Sequence, residues 1–198
     1  RIDDSVFSAI QDHVPLAPLH NPPNLTGIEV ARAYFPAATQ VAVFDTAFHQ
    51  TLPRHAFMYA LPYEYYTRHR VRRYGFHGTS HKYITAETAG VLQKPTSQVS
   101  LISIHLGNGC SMAAVHKGRC VDTTMGMTPL EGLVMGTRSG DLDPAIHDYL
   151  ASQTGMSLRD ITDILNKKSG LKGVCGNNDV REVLTKYAEG DAQAVLAL

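Results

Sequence analysis

Apolar and polar positions alternate most clearly near the middle of the chain, where short apolar runs are separated by glycine-containing turns. The runs cover residues 101–104, 110–115 and 119–123, and the turns lie at Gly107-Asn108-Gly109 and at Lys117-Gly118. Tight glycine turns between apolar runs are typical of antiparallel hairpins. The pattern therefore predicts three short antiparallel strands that are joined by two turns.

Before these strands, apolar residues recur at helical spacing. The spacing predicts helices over residues 4–13, 27–34 and 80–92. Short polar side chains are the favoured amino-terminal caps of helices. The expected caps are Asn24 or Thr26 for the second helix and Thr79 or Ser80 for the third.

Two other stretches before residue 50 lack helical spacing. Four prolines from Pro15 to Pro23 predict a stiff loop, because proline is poorly tolerated inside a helix or a central strand. The apolar run at residues 41–44 predicts a strand that is buried on both faces. Such a strand would deliver Asp45 to its carboxyl end, where open α/β sheets place their chemistry. The alternative is that Asp45 caps the following turn.

After the strands, glycine-rich residues 125–143 predict a long ordered loop with a short helix near residues 130–134. Residues 171–178 predict a second glycine-bearing loop. Four helices are expected, starting near residues 144, 158, 179 and 191, and the second of these follows a capping pattern. The chain is thus expected to divide into residues 1–96 and residues 97–198, the latter with strands followed by helices.

Composition limits the functions that are open to the chain. It has 198 residues, of which 43% are hydrophobic, and this is enough for a sizeable core. Lys+Arg and Asp+Glu both number 18, so no net positive field favours nucleic acid or an anionic membrane, and no apolar run is long enough to span a bilayer. The 3 cysteines form no Cys-x-x-Cys pair, which suits a reducing cytoplasm. Because the chain starts without methionine and ends within a predicted helix, we expect it to be a segment of a longer protein.

Three positions have chemistry that suits an anion. Gly107-Asn108-Gly109 can leave backbone amides free to face a phosphate, although such turns also form ordinary hairpins. His77 directly precedes a predicted helix, whose amino terminus attracts anions. Its spacing from His81 occurs in metal sites, but no glutamate lies between them as in His-Glu-x-x-His, so a zinc site is not favoured. Arg138 is either an ion-pair partner of a nearby aspartate or a fork for an oxyanion.

Five motifs occur in order along the chain: PLHNPPN at residues 18–24, VFDTAFHQ at 43–50, RRYGFHGTSH at 72–81, IHLGNG at 104–109 and MGTRSGDLDP at 135–144. Together they closely resemble the acetate kinase family, which includes the propionate and butyrate kinases. The resemblance implies an α/β protein with the two-domain fold of sugar kinases, actin and heat-shock ATPases. This fold has two ribonuclease-H-like domains, here incomplete at both ends. Residues 1–96 would belong to an amino-terminal acyl-substrate domain and residues 97–198 to a carboxyl-terminal nucleotide-binding domain.

The resemblance also implies a reaction. Enzymes of this family transfer the γ-phosphoryl group of Mg-ATP to acetate or propionate, giving an acyl phosphate and ADP, and the reaction is reversible. A cytoplasmic homodimer is the expected form. The alternative is a nucleotide-binding regulatory or chaperone-like module of the same fold without kinase activity. Such a module would have no use for Asp45, His77 and Arg138 together.

The family's site residues carry over onto matching positions of this sequence. Asp45, His77 and Arg138 are the implied catalytic residues, and Asp45 is also an implied ligand of Mg²⁺. The implied phosphate and nucleotide contacts are His105, Gly107, Asn108, Gly109, Asp179 and Arg181. The implied walls of the acyl pocket are Leu19, Phe76 and Pro129, with His20 nearby.

Overall fold

The structure, a computed structural model, describes residues 1–17 and 20–198. The predicted pocket residue Leu19 therefore lies outside the described residues. The chain forms two compact units, residues 1–44 and residues 45–198. The boundary near residue 96 and the assignment of its two sides to substrate and nucleotide domains stay predictions.

The first unit consists of two helices, α1 (Asp4–Asp12) and α2 (Asn21–Tyr34), with a 3-10 turn at Val14–Leu16 between them. The predicted helix over residues 4–13 is confirmed. The predicted start of the second helix is wrong, because α2 begins at Asn21 rather than near residue 27. Pro22 and Pro23 occupy its first turn, where the missing N–H of proline costs nothing.

The strand predicted at residues 41–44 is wrong. The segment has no regular secondary structure and pairs with no strand in the described part of the chain, and Val43 is 77% exposed. An apolar run becomes a β-strand only when a neighbouring strand supplies hydrogen bonds along its length. Hydrophobicity alone therefore misidentified this segment.

The second unit contains an antiparallel sheet in the order β1 (Leu101–Leu106), β2 (Cys110–His116) and β3 (Arg119–Thr123). The predicted meander is confirmed. At the second turn Lys117 and Gly118 both have positive φ, 50° and 75°, which matches the twist of the flanking strands. In the first hairpin Leu106 pairs with Cys110 and His105 pairs with Ser111, so the turn between them consists of residues 107–109.

The second unit also contains the helices α3 (Arg54–Phe57), α4 (Tyr63–His69), α5 (Gly78–Val91), α6 (Ile146–Thr154), α7 (Leu158–Lys167), α8 (Gly170–Cys175), α9 (Val180–Ala188) and α10 (Ala192–Ala197), with 3-10 turns at Ala47–Thr51 and Thr96–Gln98. Helix α5 contacts β1, and the turn at Ala47–Thr51 contacts both β3 and α5. Leu52, Phe57, Ala113 and Cys120 form the core between these elements.

Most of the predicted helices are confirmed, including the capping box in which Ser157 and Asp160 begin α7. Three local predictions are wrong. No helix forms at residues 130–134, α8 forms within the predicted loop at residues 171–178, and the N-cap position of α5 is His77, without a side-chain cap hydrogen bond, instead of Thr79 or Ser80. None of the helices described is both long and apolar enough to cross a membrane.

Candidate active site

Asp45 is fixed at the amino terminus of α5. Its Oδ2 accepts a hydrogen bond from the His77 N–H at 2.6 Å, and its backbone carbonyl accepts one from the Gly78 N–H at 2.8 Å. A Cβ at Gly78 would lie 2.2 Å from that carbonyl oxygen, so glycine alone fits there. Asp45 therefore caps a distant helix rather than its own following turn, which has no side-chain cap.

His77 is the cap residue of α5 and has a left-handed backbone conformation, with φ at 57°. This conformation is uncommon for residues other than glycine and persists where surrounding contacts hold it. The carboxylate of Asp45 supplies such a contact. His77 was expected just before the helix, and its position there is confirmed.

The turn at residues 107–109 has backbone donors to offer. The Gly107 N–H is used within the turn, where it donates to the Gly109 carbonyl at 2.9 Å. Within the described residues, the N–H groups of Asn108 and Gly109 have no acceptor. The Asn108 side-chain oxygen accepts a hydrogen bond from the Asn178 amide at 3.3 Å, just before α9.

Arg138 and His77 converge on this turn. A Cβ built at Gly109 would lie 3.2 Å from Arg138 Nη2 and 3.2 Å from His77 Nε2. The two nitrogens therefore lie close beside Gly109 and bound a small region next to the turn, which we call the volume at Gly109. Arg138 Nη1 donates to the Pro129 carbonyl at 2.5 Å, which leaves Nη2 directed at that volume.

Arg138 forms no ion pair with any described carboxylate. Asp141, one of the aspartates of the same loop, instead accepts the Gly132 N–H at 2.7 Å. Partial burial lowers the pKa of Arg138, although a guanidinium stays charged in proteins. The arrangement favours the oxyanion fork over the surface clamp.

His105 stacks on His77, with ring centroids 4.0 Å apart and an interplanar angle of 19°. His105 Nδ1 lies 2.9 Å from Ser80 Oγ, and its Nε2 lies 3.6 Å from the position a Cβ would take at Gly107. Burial and the adjacent His105 both lower the pKa of His77. The site therefore favours a neutral His77 imidazole, which can donate a hydrogen bond.

Behind His77 lies a buried polar chain that the sequence analysis missed. His77 Nδ1 lies 2.8 Å from Ser111 Oγ, Ser111 Oγ lies 2.9 Å from His81 Nε2, and His81 Nδ1 lies 2.9 Å from Ser103 Oγ. Burial and the neighbouring histidines lower the pKa of His81 to about 4. His81 follows His77 by four residues, about one turn of helix, and this spacing in the sequence is the signal that both rings can reach one partner, here Ser111.

Comparison with known proteins decides the family. The sequence model of the Acetokinase family matches residues 1–198. The chain belongs to the acetokinase family. The family resemblance expected from the five motifs is confirmed.

Individual relatives agree with this membership. The chain is 57% identical over 197 residues to an acetate kinase of Nitratidesulfovibrio vulgaris (strain DSM 19637 / Miyazaki F), and the match covers 100% of this chain and 49% of that protein. A propionate kinase from Francisella tularensis subsp. tularensis SCHU S4 matches with a TM-score of 0.95 and 51% identity, over 99% of this chain and 50% of that one. The Porphyromonas gingivalis acetate kinase matches with a TM-score of 0.94 and 46% identity, over 99% and 49% of the two chains.

These likenesses confirm the predicted fold class, because the structural neighbours of this family have the actin-like α/β fold. The chain spans about half the length of the curated relatives it matches.

The acyl-pocket residues implied by the acetokinase family fall in different places. Phe76 precedes His77, and its carbonyl lies 2.9 Å from Nε2 of the buried His49. Pro129 is tied to the site through its carbonyl, which accepts the Arg138 guanidinium. His20 belongs to the unit of residues 1–44. A shared pocket for these residues stays a prediction.

The predicted adenosine residues Asp179 and Arg181 are paired with each other. Asp179 caps α9, and its carboxylate accepts hydrogen bonds from the Arg181 N–H at 3.0 Å, Nε at 3.0 Å and Nη2 at 2.6 Å. These hydrogen bonds lower the pKa of Asp179 to about 2. The connection to the phosphate turn is indirect and runs through Asn178 and Asn108.

Asp45 is the residue that fits the implied Mg²⁺. The His77 N–H occupies Oδ2, and Oδ1 has no partner among the described residues. No group of three or more potential ligands occurs in the described ranges. Mg²⁺ in kinase sites commonly takes one or two carboxylates and completes its shell with water and substrate phosphates. A single exposed carboxylate oxygen is compatible with that mode of binding.

Proposed function

We propose that the chain is part of a short-chain carboxylate kinase, which transfers the γ-phosphoryl group of ATP to acetate or propionate and runs reversibly. The observation that carries the proposal is the convergence of Arg138 Nη2 and His77 Nε2 on the volume at Gly109. Family membership over the whole chain supports it, as do relatives that are named acetate kinase and propionate kinase.

The proposed reaction hardly needs a general base. A carboxylate is ionised at pH 7 and is already a nucleophile, so catalysis consists of positioning and of neutralising charge on the transferring group. The Arg138 guanidinium would stabilise the equatorial oxygens of that group. His77 would donate from Nε2 on the other side of the same volume.

The turn at residues 107–109 would hold the nucleotide phosphates. The N–H groups of Asn108 and Gly109 are preorganised donors, and glycine lets the phosphate approach the backbone closely. His105 would add a donor from Nε2 near Gly107. Asp179 and Arg181 are the proposed contacts on the adenosine side.

Asp45 would hold Mg²⁺ through its unused oxygen and would help to orient the acid. When bound, Mg²⁺ supplies positive charge that neutralises the phosphate oxygens. The chain's own contribution is to keep the carboxylate in place through the His77 and Gly78 N–H groups. A homodimer in the cytoplasm completes the proposal.

The reaction is tested by trapping the acyl phosphate with hydroxylamine. The longest expressible form of the protein is incubated with Mg-ATP and acetate, propionate or butyrate, and hydroxamate is measured. Asp45→Asn removes the charge but keeps an oxygen that can accept the His77 N–H, so the fold should survive. Asp148→Asn, at an exposed position in the first turn of α6, is the matched control.

We expect hydroxamate with acetate or propionate, its loss in Asp45→Asn and its retention in Asp148→Asn. ATP binding without hydroxamate from any acid would contradict the kinase and favour a nucleotide-binding regulatory or chaperone-like module.

A further inference from the structure

The chain of Ser103, His81, Ser111 and His77 is closed off from solvent on the side away from the site. Ser103 is 2% exposed, and His81 and Ser111 are both 0% exposed. Three contacts of 2.8 to 2.9 Å join the four residues in that order. Each contact must be a hydrogen bond with one donor and one acceptor, so the positions of the protons are linked along the chain.

Ser103 determines the direction of these bonds. Its hydroxyl has one proton, and among the described residues its hydrogen-bond partner is His81 Nδ1 alone. If His81 Nδ1 donated instead, the Ser103 proton would remain buried without an acceptor, which is unfavourable. Ser103 therefore donates to His81 Nδ1.

The donor and the acceptor in the hydrogen bonds between His81, Ser111 and His77 are then determined as well. Because Nδ1 of neutral His81 accepts, its proton resides on Nε2 and is donated to Ser111 Oγ. If Ser111 Oγ also accepted from His77 Nδ1, its own buried proton would have no acceptor among the described residues, so Ser111 donates to His77 Nδ1. A neutral His77 must then carry its proton on Nε2, the nitrogen that faces the volume at Gly109.

We propose that Ser103, His81 and Ser111 are positioning residues that fix His77 in its Nε2–H tautomer, so that a neutral imidazole presents a donor to the transferring phosphoryl group. The role in transfer rests on the proposed function, whereas the tautomer does not. The opposite tautomer would direct a lone pair at an anion and would repel it. The low pKa of His81 supports the argument, since a protonated His81 would have no lone pair to accept from Ser103.

The tautomer can be measured without any assay of activity. Histidine is labelled with ¹⁵N in the full protein, and the ring nitrogens are observed by two-bond ¹H–¹⁵N NMR correlation at neutral pH. A ring nitrogen that carries a proton has a ¹⁵N chemical shift well separated from that of a ring nitrogen with a lone pair. His77→Gln and His81→Gln spectra assign the two rings by their missing signals.

We expect the Nε2–H pattern for both His77 and His81, with the other tautomer below about one part in ten. An Nδ1–H or doubly protonated His77 in the unaltered protein would overturn the proposal, and this outcome requires no variant to fold.

Variants separate positioning from simple stability. Ser103→Ala removes the donor that sets the direction, so both tautomers of His77 should appear and kcat should fall about twofold. Ser111→Ala breaks the chain next to His77 and should lower kcat about tenfold with KM for ATP within about twofold. Ser103→Thr retains the hydroxyl and should restore the Nε2–H pattern.

Thr85→Val is the matched control. Thr85 is equally buried and lies on the same helix, but its hydroxyl donates to the His81 backbone carbonyl at 2.7 Å instead of the ring. Its loss should leave the His77 tautomer unchanged. If Ser103→Ala and Thr85→Val alter the spectrum alike, the positioning role is overturned. If the Nε2–H pattern is present but no hydroxamate forms, the proposed kinase activity fails while the tautomer assignment stands.

Discussion

The turn between β1 and β2 and the start of α9 both collect polar groups, but they leave those groups in opposite states. At the turn, Arg138 Nη2 and His77 Nε2 lie beside Gly109, and neither these nitrogens nor the Gly109 N–H has an acceptor in the described part of the chain. At the start of α9, Asp179 and Arg181 neutralise each other through three hydrogen bonds.

The difference separates the proposed phosphoryl site from a surface pair whose charges already neutralise each other. Donors that converge without an acceptor are complementary to an anion that is not part of the chain. A carboxylate and a guanidinium that already pair at the surface contribute little to binding unless a ligand displaces one of them. We therefore expect substitutions at the turn to affect the reaction far more than substitutions at α9.

Removal of Arg138 should give the largest effect. Arg138→Ala should lower kcat for hydroxamate formation about 10²–10³-fold, because it deletes a preorganised charge at the phosphoryl group. The circular dichroism spectrum should be unchanged, since the one hydrogen bond lost is that to the Pro129 carbonyl. Arg119→Ala, at an exposed position on β3, is the control and should retain full activity. An Arg138→Ala enzyme with normal kcat would remove Arg138 from the mechanism.

Filling the volume should give the next largest effect. Gly109→Ala would place a methyl group 3.2 Å from both Arg138 Nη2 and His77 Nε2, so both nitrogens would have to shift from the positions assigned to anion binding. We expect a drop of about tenfold or more in kcat/KM for ATP, measured by the same assay. Gly90→Ala is a matched control, because no atom lies within 4 Å of the added carbon and alanine is the better helix former in α5. Equal activity of the two variants would show that the volume is not used.

The sequence predicted well those features that depend on neighbouring residues. The meander, the position of His77 before α5 and the capping box of α7 all follow from local pattern and turn chemistry. The convergence of Arg138 with the glycine turn was available only through the family resemblance, because the two are separated by about 30 residues and no local rule brings them together.

The predictions that failed also have physical causes. The run at residues 41–44 is apolar but has no paired strand, and Asn21–Tyr34 accommodates its prolines because they fall in the first turn. The hydrogen bonds that connect Ser103 with His77 cross from β1 to α5. Which group donates in each of them depends on how four side chains share their protons. Sequence spacing contains no such information.

The buried histidines should also make stability depend on pH. Burial lowers the pKa of His81 from 6.5 to about 4, with His49, His77 and His105 adding like charge and Asp45 opposing them. Between pH 4 and 6.5 the unfolded chain binds more protons at this group than the folded chain does, so the free energy of unfolding falls as pH falls. Above pH 6.5 His81 is neutral in both the folded and the unfolded chain, so this group no longer makes the free energy of unfolding depend on pH.

Denaturant unfolding between pH 4.5 and 7.5 measures the effect, which should be on the order of 1–3 kcal/mol for His81. His81→Gln should flatten the dependence in this window. His55→Gln, at an exposed position, should leave it unchanged. A dependence that is equally steep in both variants would show that His81 is not held neutral by the fold.

The smallest effect is expected at α9. Asp179→Asn keeps an oxygen that can cap the helix but releases Arg181, whose side chain is 90% exposed. Because this pair lies outside the volume at Gly109, kcat should stay within about twofold, and KM for ATP should change by no more than about threefold. A tenfold loss of kcat would extend the phosphoryl site to α9 and would contradict the contrast between the two regions. A rise in KM for ATP at constant kcat is the change that fits the proposed adenosine-side contact, since it would remove binding that is equal in the ground state and the transition state.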